Sequence, residues 1–158
     1  MAIYMKYGSV NGDVTTTGYT QWIELDSMEM GVGRAIGSAE RGAENREASE
    51  PSISEIVVQK RMDVSSTGLI QDAWGGELNN TVTIKLTTTT KNGVIDFLEY
   101  DLENCGLSSY SVMSKGDMPV ESLSLNFTKI THRFKGLDPT TQGNPASASY
   151  DLTQMKGS

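Results

Sequence analysis

One cysteine, Cys105, stands in 158 residues. An intrachain disulfide is impossible, and a zinc site built on cysteine thiolates has no support. Histidine is equally scarce, with His132 alone. No apolar run approaches the length of a membrane-spanning helix. The N-terminal MAIYMKYGSV has neither the apolar core nor the small-residue cleavage site of a signal peptide. The expectation is a soluble cytoplasmic protein with no membrane insertion. Basic charge is also short: 13 lysines and arginines face 20 aspartates and glutamates, a net charge of −7. No basic patch is interleaved with aromatics, which argues against a nucleic-acid partner. Apolar residues make up only 37% of the chain, little for a helical bundle.

What is present suits short strands and turns. Glycine is abundant and Ser and Thr are frequent. The length suits one domain, residues 1–158, which buries about 68–70% of its unfolded surface without staples. A first strand is expected over Ile3 to Tyr7, broken at Gly8 and turned at Asn11-Gly12. In YTQWIELDSMEMGVG one face carries Trp22, Glu24, Asp26, Met28 and Met30, the other Ile23, Leu25, Ser27 and Glu29. Neither face is cleanly apolar, so both sides are partly buried or the strand contains a bulge. SISEIVVQKRMDV reads as a strand with Ile56, Val58 and Met62 on one face.

Only SSTGLIQDAWGGEL reads as a helix. Ser65 or Ser66 can cap it, Leu69, Ile70, Ala73 and Trp74 share one stripe, and Gly75-Gly76 ends it. Val82, Ile84 and Leu86 then form one arm of a hairpin, turned at Asn92-Gly93, with Ile95, Phe97 or Leu98, Tyr100 and Leu102 on the other. GLSSYSVMS is a further strand. ESLSLNFTKITHRF alternates most cleanly, with Leu123, Leu125, Phe127 and Lys129 on one side. The tail from about Gly136 is expected to be extended or flexible. The sum is a mainly β chain of about seven or eight strands and one helix, in two packed sheets or a closed barrel.

Candidates for chemistry are thin. His132 lies among alternating strand residues, and no Gly-x-Ser-x-Gly elbow exists. Cys105 reads as a small buried hydrophobe. GVGRAIG resembles a dinucleotide fingerprint, but its third glycine comes one place late and no helix pattern follows. Glu44, Glu47 and Glu50 cluster, but Arg41 and Arg46 neutralise them. No catalytic residue, metal or cofactor is expected. Met28 and Met30, two of eight methionines, fill core gaps or line an adaptable surface.

The oddest stretch is GRAIGSAERGAENREASEP, Gly33 to Pro51. Its composition cannot pack a core of its own, and a loop this long needs a job or is disordered. Its alternating charges, Arg34, Glu40, Arg41, Glu44, Arg46 and Glu47, suit docking against a like molecule, where each sign meets its opposite.

At this point the phrases SEIVV, LENC and SLNFTKI, set among MAIYMKYGSVNGDVTTTGYTQWIELDSMEMGVGRAI, REASEPSISEIVVQKRMDVSS, YDLENCGLSSYSV and ESLSLNFTKI, carry a resemblance. They resemble, in order and spacing from Met1 to about Phe134, the haemolysin-coregulated protein (Hcp) family, the tube subunits of bacterial type VI secretion. The resemblance implies a β-barrel of two sheets with one flanking helix and a long extended loop at about residues 33–51. It implies homohexameric rings, stacked head to tail into a tube whose lumen carries effectors. Further partners would be the sheath, the tip spike protein and the effector proteins. It also implies synthesis in a bacterial cytoplasm and export without a signal peptide, to the extracellular space or a target cell.

Matched residue by residue, the Gly33–Pro51 loop would reach the neighbouring ring. Glu29 would face the lumen, with Met28 and Met30 toward the barrel, where some relatives carry aromatic residues. The rival readings are a contractile-phage tail tube protein, a monomeric ligand-binding β-barrel, and a hydrolase, for which nucleophile and base are missing.

Overall fold

The computed structural model describes residues 1–37 and 49–158. In chain order the strands are β1 (Ala2–Tyr7), β2 (Ile23–Leu25), β3 (Ser27–Glu29), β4 (Val32–Gly33), β5 (Ser52–Ile53) and β6 (Ile56–Arg61). After the helix α1 (Ser66–Gly75) come β7 (Asn80–Thr90), β8 (Gly93–Met113), β9 (Val120–Asn126), β10 (Lys129–Phe134), β11 (Ala146–Asp151) and β12 (Lys156–Gly157). The fold is mainly β, as the turn-rich composition requires.

All strand pairs are antiparallel. One sheet runs β12-β11-β10-β8-β7-β1-β2. A second runs β3-β6-β9 and pairs onto the far half of β8. Two stretches of chain therefore serve both sheets. β8 pairs β7 and β10 with its first half and β9 with its second. The segment through Asp26 pairs β1 before the aspartate and β6 after it. From one half of β8 the pairing runs through β7 and β1 to β2, and from the other half through β9 and β6 to β3; β2 and β3 are joined by the chain at Asp26 and not by a strand pairing. Strands that switch sheets make the corners of such a barrel.

Between the sheets lie Met5, Tyr7, Ile23, Ile56, Leu102 and Leu123, all buried. The parity of the Trp22–Met30 segment follows from the corner. Ile23 and Leu25 point inward before Asp26, and Met28 and Met30 pack on the core after it. Alternation flips at the break, so neither face of the sequence is apolar throughout.

Several expectations need correction. The hairpin arm and GLSSYSVMS form one strand of 21 residues. It bends at Asn104, whose φ is +51°, a conformation asparagine tolerates, and at the register shift between Leu107 and Ser109. The alternation of ESLSLNFTKITHRF spans two strands, β9 and β10, parted at Phe127 and Thr128. Met62 lies beyond the end of β6 and is exposed; the inward position after Val58 belongs to Lys60.

On α1, Leu69 is fully buried, whereas Trp74 is 78% exposed. Neither serine caps the helix through its side chain in the expected way. The Asp63 carboxylate accepts from the Ser65 N–H at 2.9 Å instead. The tail pairs its β11 along the whole of β10, Lys129 opposite Asp151 and Phe134 opposite Ala146.

Residues 8–22 fold over the outer face of β1. Tyr19 stacks on Tyr4 at 4.9 Å and meets Trp22 edge-on at 5.3 Å. Gly12 is required there: a Cβ would lie 2.3 Å from the Trp22 carbonyl oxygen.

Candidate assembly surfaces

The outer face of the second sheet follows from its register. Glu29 is opposite Val57, Val57 opposite Ser124, and Ser124 opposite Ser109. The next row reads Ser27, Gln59, Ser122 and Ser111. These side chains turn away from the core because their neighbours Met28, Val58 and Leu123 turn into it. Glu29 is exposed, at the edge of a face otherwise made of serine hydroxyls, the Gln59 amide and the half-buried Val57. Ser109 and Ser124 bond each other at 2.8 Å. The serines went unassigned in the sequence. Their signal was the Ser122–Ser124 alternation against leucines, which marks only which side faces out.

The outer face of the first sheet is different. Lys85, Glu99 and Arg133 are direct cross-strand neighbours, a favourable arrangement of opposite charges. Arg133 reaches Glu99 at 3.4 Å and also bonds Asp101. Lys135 bonds Asp96 at 2.6 Å and Glu99 at 3.3 Å. Burial raises the Asp96 carboxyl, but the Lys135 hydrogen bond and the Lys85 charge outweigh it, and the net shift is below the ordinary value. A depressed carboxyl stabilises the fold above its unfolded pKa, about 3.9. That contribution is lost as pH falls through the lower folded value. Acid unfolding followed by circular dichroism should therefore show a shallower loss below about pH 4 for Asp96→Asn than for the wild type. Equal slopes would remove this ion pair from the acid response.

At the Ile56 end of β6 the second sheet continues as a narrow hairpin. Gly31 and Ser54 exchange backbone and side-chain bonds of 2.8–3.0 Å. Val32 then pairs Ile53, and Gly33 pairs Ser52. Beyond them the Ala35 N–H donates to Ser49 Oγ at 2.9 Å, and the Ser49 N–H to the Ala35 carbonyl at 2.8 Å. This ladder is the stem of the polar loop. Arg34 sits on it, exposed. Glu40, Arg41, Glu44, Arg46 and Glu47 lie outside the described residues.

Two buried polar clusters tie the helix to the sheets. Lys60 and Glu121 are opposite each other on the inward face, fully buried, with Nζ 2.5 Å from Oε1. Ser66 Oγ donates to the same oxygen at 2.7 Å, Tyr110 donates to Oε2, and Asp63 is 3.0 Å from Lys60 Nζ. On the other side of α1, Asp72 accepts from the Tyr7 hydroxyl at 2.5 Å, Asn80 Nδ2 at 3.1 Å and the Leu107 N–H at 3.3 Å.

The two candidates for nucleophilic chemistry are apart from any such machinery. Burial, then the charges of Asp72 and Glu55, push the Cys105 thiol up to about 12, against thiolate formation. His132 makes an edge contact with Tyr100 at 5.2 Å. Among the described residues no group of three or more His, Cys, Asp or Glu could hold a metal ion, and no helix is long and apolar enough to cross a membrane.

This architecture is similar to solved structures across the whole chain. One described as a type six secretion system protein aligns with a TM-score of 0.87 at 23% identity, covering 99% of both chains. Hcp1 from Salmonella typhimurium aligns at 0.76 and 16% identity, covering 99% of this chain and 98% of its own. The sheath–tube complex of an extracellular contractile injection system in its extended state aligns at 0.58 and 14% identity, covering 84% and 88%. At such identities the likeness speaks for the fold alone. No curated protein sequence matches this one. The family described as "Type VI secretion system effector, Hcp" matches residues 4–134, most of the chain, and the protein belongs to that family.

Proposed function

We propose that this chain is the repeating subunit of a type VI secretion tube, closing into homohexameric rings that stack head to tail around a lumen carrying effector proteins. The observation that carries the reading is the contrast between the two outer faces. A channel that must pass varied cargo needs a wall with little apolar area and few fixed charges. The Ser109–Ser111–Ser122–Ser124 face is of that kind, with Val57 its one aliphatic side chain in these rows and Glu29 at its edge. The ion-paired face of the other sheet then lies toward the outside of the ring. Glu29 is the effector-facing residue of this reading, and its charge favours cargo with a basic contact surface.

Ring closure would cover sheet edges that a single barrel exposes. Stacking is assigned to the polar loop, through Arg34, Glu40, Arg41, Glu44, Arg46 and Glu47. A heterologous contact of this sort propagates along an axis without closing. The sheath and tip spike of the secretion machine are the further partners, and the work done is mechanical and not catalytic. Export through the tube itself is the route this reading implies.

Native mass spectrometry tests the ring. The expected species is a hexamer; a monomer at every concentration would favour a ligand-binding barrel. For the loop, Arg41→Glu with Arg46→Glu should leave hexamers intact and raise the concentration needed for stacking about tenfold, because a weak exposed ion pair is repeated in every subunit. Sedimentation separates the outcomes: unchanged stacks, or loss of the hexamer, would count against the assignment. Genomic neighbourhood distinguishes a secretion tube from the tail tube of a contractile phage, which would share the barrel and the ring.

A further inference from the structure

Ile130 is buried on the inner face of β10, and His132 shares that face. Register sets Tyr150 of β11 opposite Ile130, and Ala148 opposite His132. Every second residue of ASASYD therefore turns inward, as alanine, alanine and tyrosine. Alanine is too short to fill the space up to the β4–β5 hairpin. A cavity of about 290 Å³ is left, with Ala148 and Tyr150 on one side and Met30, Val32 and Ile53 on the other. Ligand sites begin at about this size, roughly 300 Å³.

No carboxylate, lysine or arginine lines this cavity. The two clefts beside Asp26 differ, since both carry Glu24 and Asp26. Tyr150 is the second observation. Its hydroxyl is the one buried side-chain polar atom without a hydrogen-bond partner among the described residues. The hydroxyls of Tyr4, Tyr7 and Tyr110 all have partners, in Thr16, Asp72 and Glu121. Ser149, the other hydroxyl residue in the wall, bonds Ser158. Buried polar atoms are as a rule paired, and an exception calls for a reason.

We propose that the cavity under the β4–β5 hairpin binds a compact uncharged aromatic molecule whose carbonyl oxygen accepts from the Tyr150 hydroxyl. Charge is excluded because the wall offers no opposite charge to compensate it. An aromatic body suits the Met30 thioether and the rings of His132 and Tyr150. The oxygen supplies the acceptor that the protein itself does not. This site stands apart from the tube reading: a hexamer that binds no ketone leaves that reading intact.

The test compares acetophenone with ethylbenzene, which has the same carbon frame without the oxygen. Both are titrated into the full chain while the methyl resonances of Ile53, Ile130 and Ala148 are followed by nuclear magnetic resonance. Both should bind and shift these methyls. Tyr150→Phe should weaken acetophenone about tenfold, the worth of one hydrogen bond, and leave ethylbenzene unchanged. Ala148→Phe, at an exposed position, should fill the cavity and abolish the binding of both. Overturning results are wild-type protein that binds neither compound, and binding that survives Ala148→Phe. A Tyr150→Phe variant that weakens both compounds equally, or neither, would also overturn the proposal.

Discussion

Replacing Glu121 with leucine is expected to remove about 3–5 kcal/mol of stability, read as a lower midpoint in urea at an unchanged slope. The reason is what stays behind. Lys60 is fully buried and holds Glu121 at 2.5 Å, and Ser66 and Tyr110 donate to the same carboxylate. Without it one ammonium and two hydroxyls lose their acceptor inside the protein. Asp63, 3.0 Å from Lys60, keeps part of the charge compensated, so the loss belongs at the lower end of the range.

With a total stability of about 5–15 kcal/mol for a domain of this size, such a variant sits near the edge of folding. Lys60→Met with Glu121→Leu should recover most of the loss, since a buried pair replaced by apolar side chains of similar volume is often neutral or better. A single Glu121→Leu variant within about 1 kcal/mol of wild type would mean that Lys60 reaches water in solution.

Asp72→Ala is the second large effect, expected at about 2–4 kcal/mol from the unsatisfied donors it leaves. One carboxylate on α1 serves the Tyr7 hydroxyl, the Asn80 amide and the Leu107 N–H. It thereby ties the helix to β1, β7 and the second half of β8. Burial and then the bond to Asp72 raise the Tyr7 hydroxyl above its ordinary value, so Tyr7 remains a donor throughout the neutral range. Asp72→Asn keeps one acceptor oxygen and should cost less. Cys105 provides an independent readout. It is fully buried, and its carbonyl accepts from the same Asn80 amide at 3.2 Å. A weakened tie should speed its labelling by a thiol reagent at least about tenfold through local opening. Labelling at the wild-type rate, with stability unchanged, would remove Asp72 from the list of anchors.

Much of the fold was readable from local pattern. Leu123 and Leu125 alternate with serines, Val82 and Ile84 with threonine, and Leu69 lies on a helical stripe; each is buried where its period predicts. Two of the failures share a cause. At Asp26 and at Asn104 the chain passes from one sheet to the other, and inward parity changes there. Period-two reasoning within one strand has no term for that change. Met62 and Trp74 fit the apolar period of their elements but lie outside the core, where none of the described strands covers them.

Taken alone, the order of residues determined the mainly β class, the one α-helix among the described residues, the outward-facing side of β9 and the family to which the chain is similar. Each of these rests on short-range alternation, turn residues or contiguous phrases. The tertiary structure decided which charges meet. Lys60 and Glu121 are 61 positions apart and read separately as ordinary polar residues. Only antiparallel pairing of β6 with β9 on the inward face makes them a buried pair. Register, and not sequence distance, fixes which side chains share an edge.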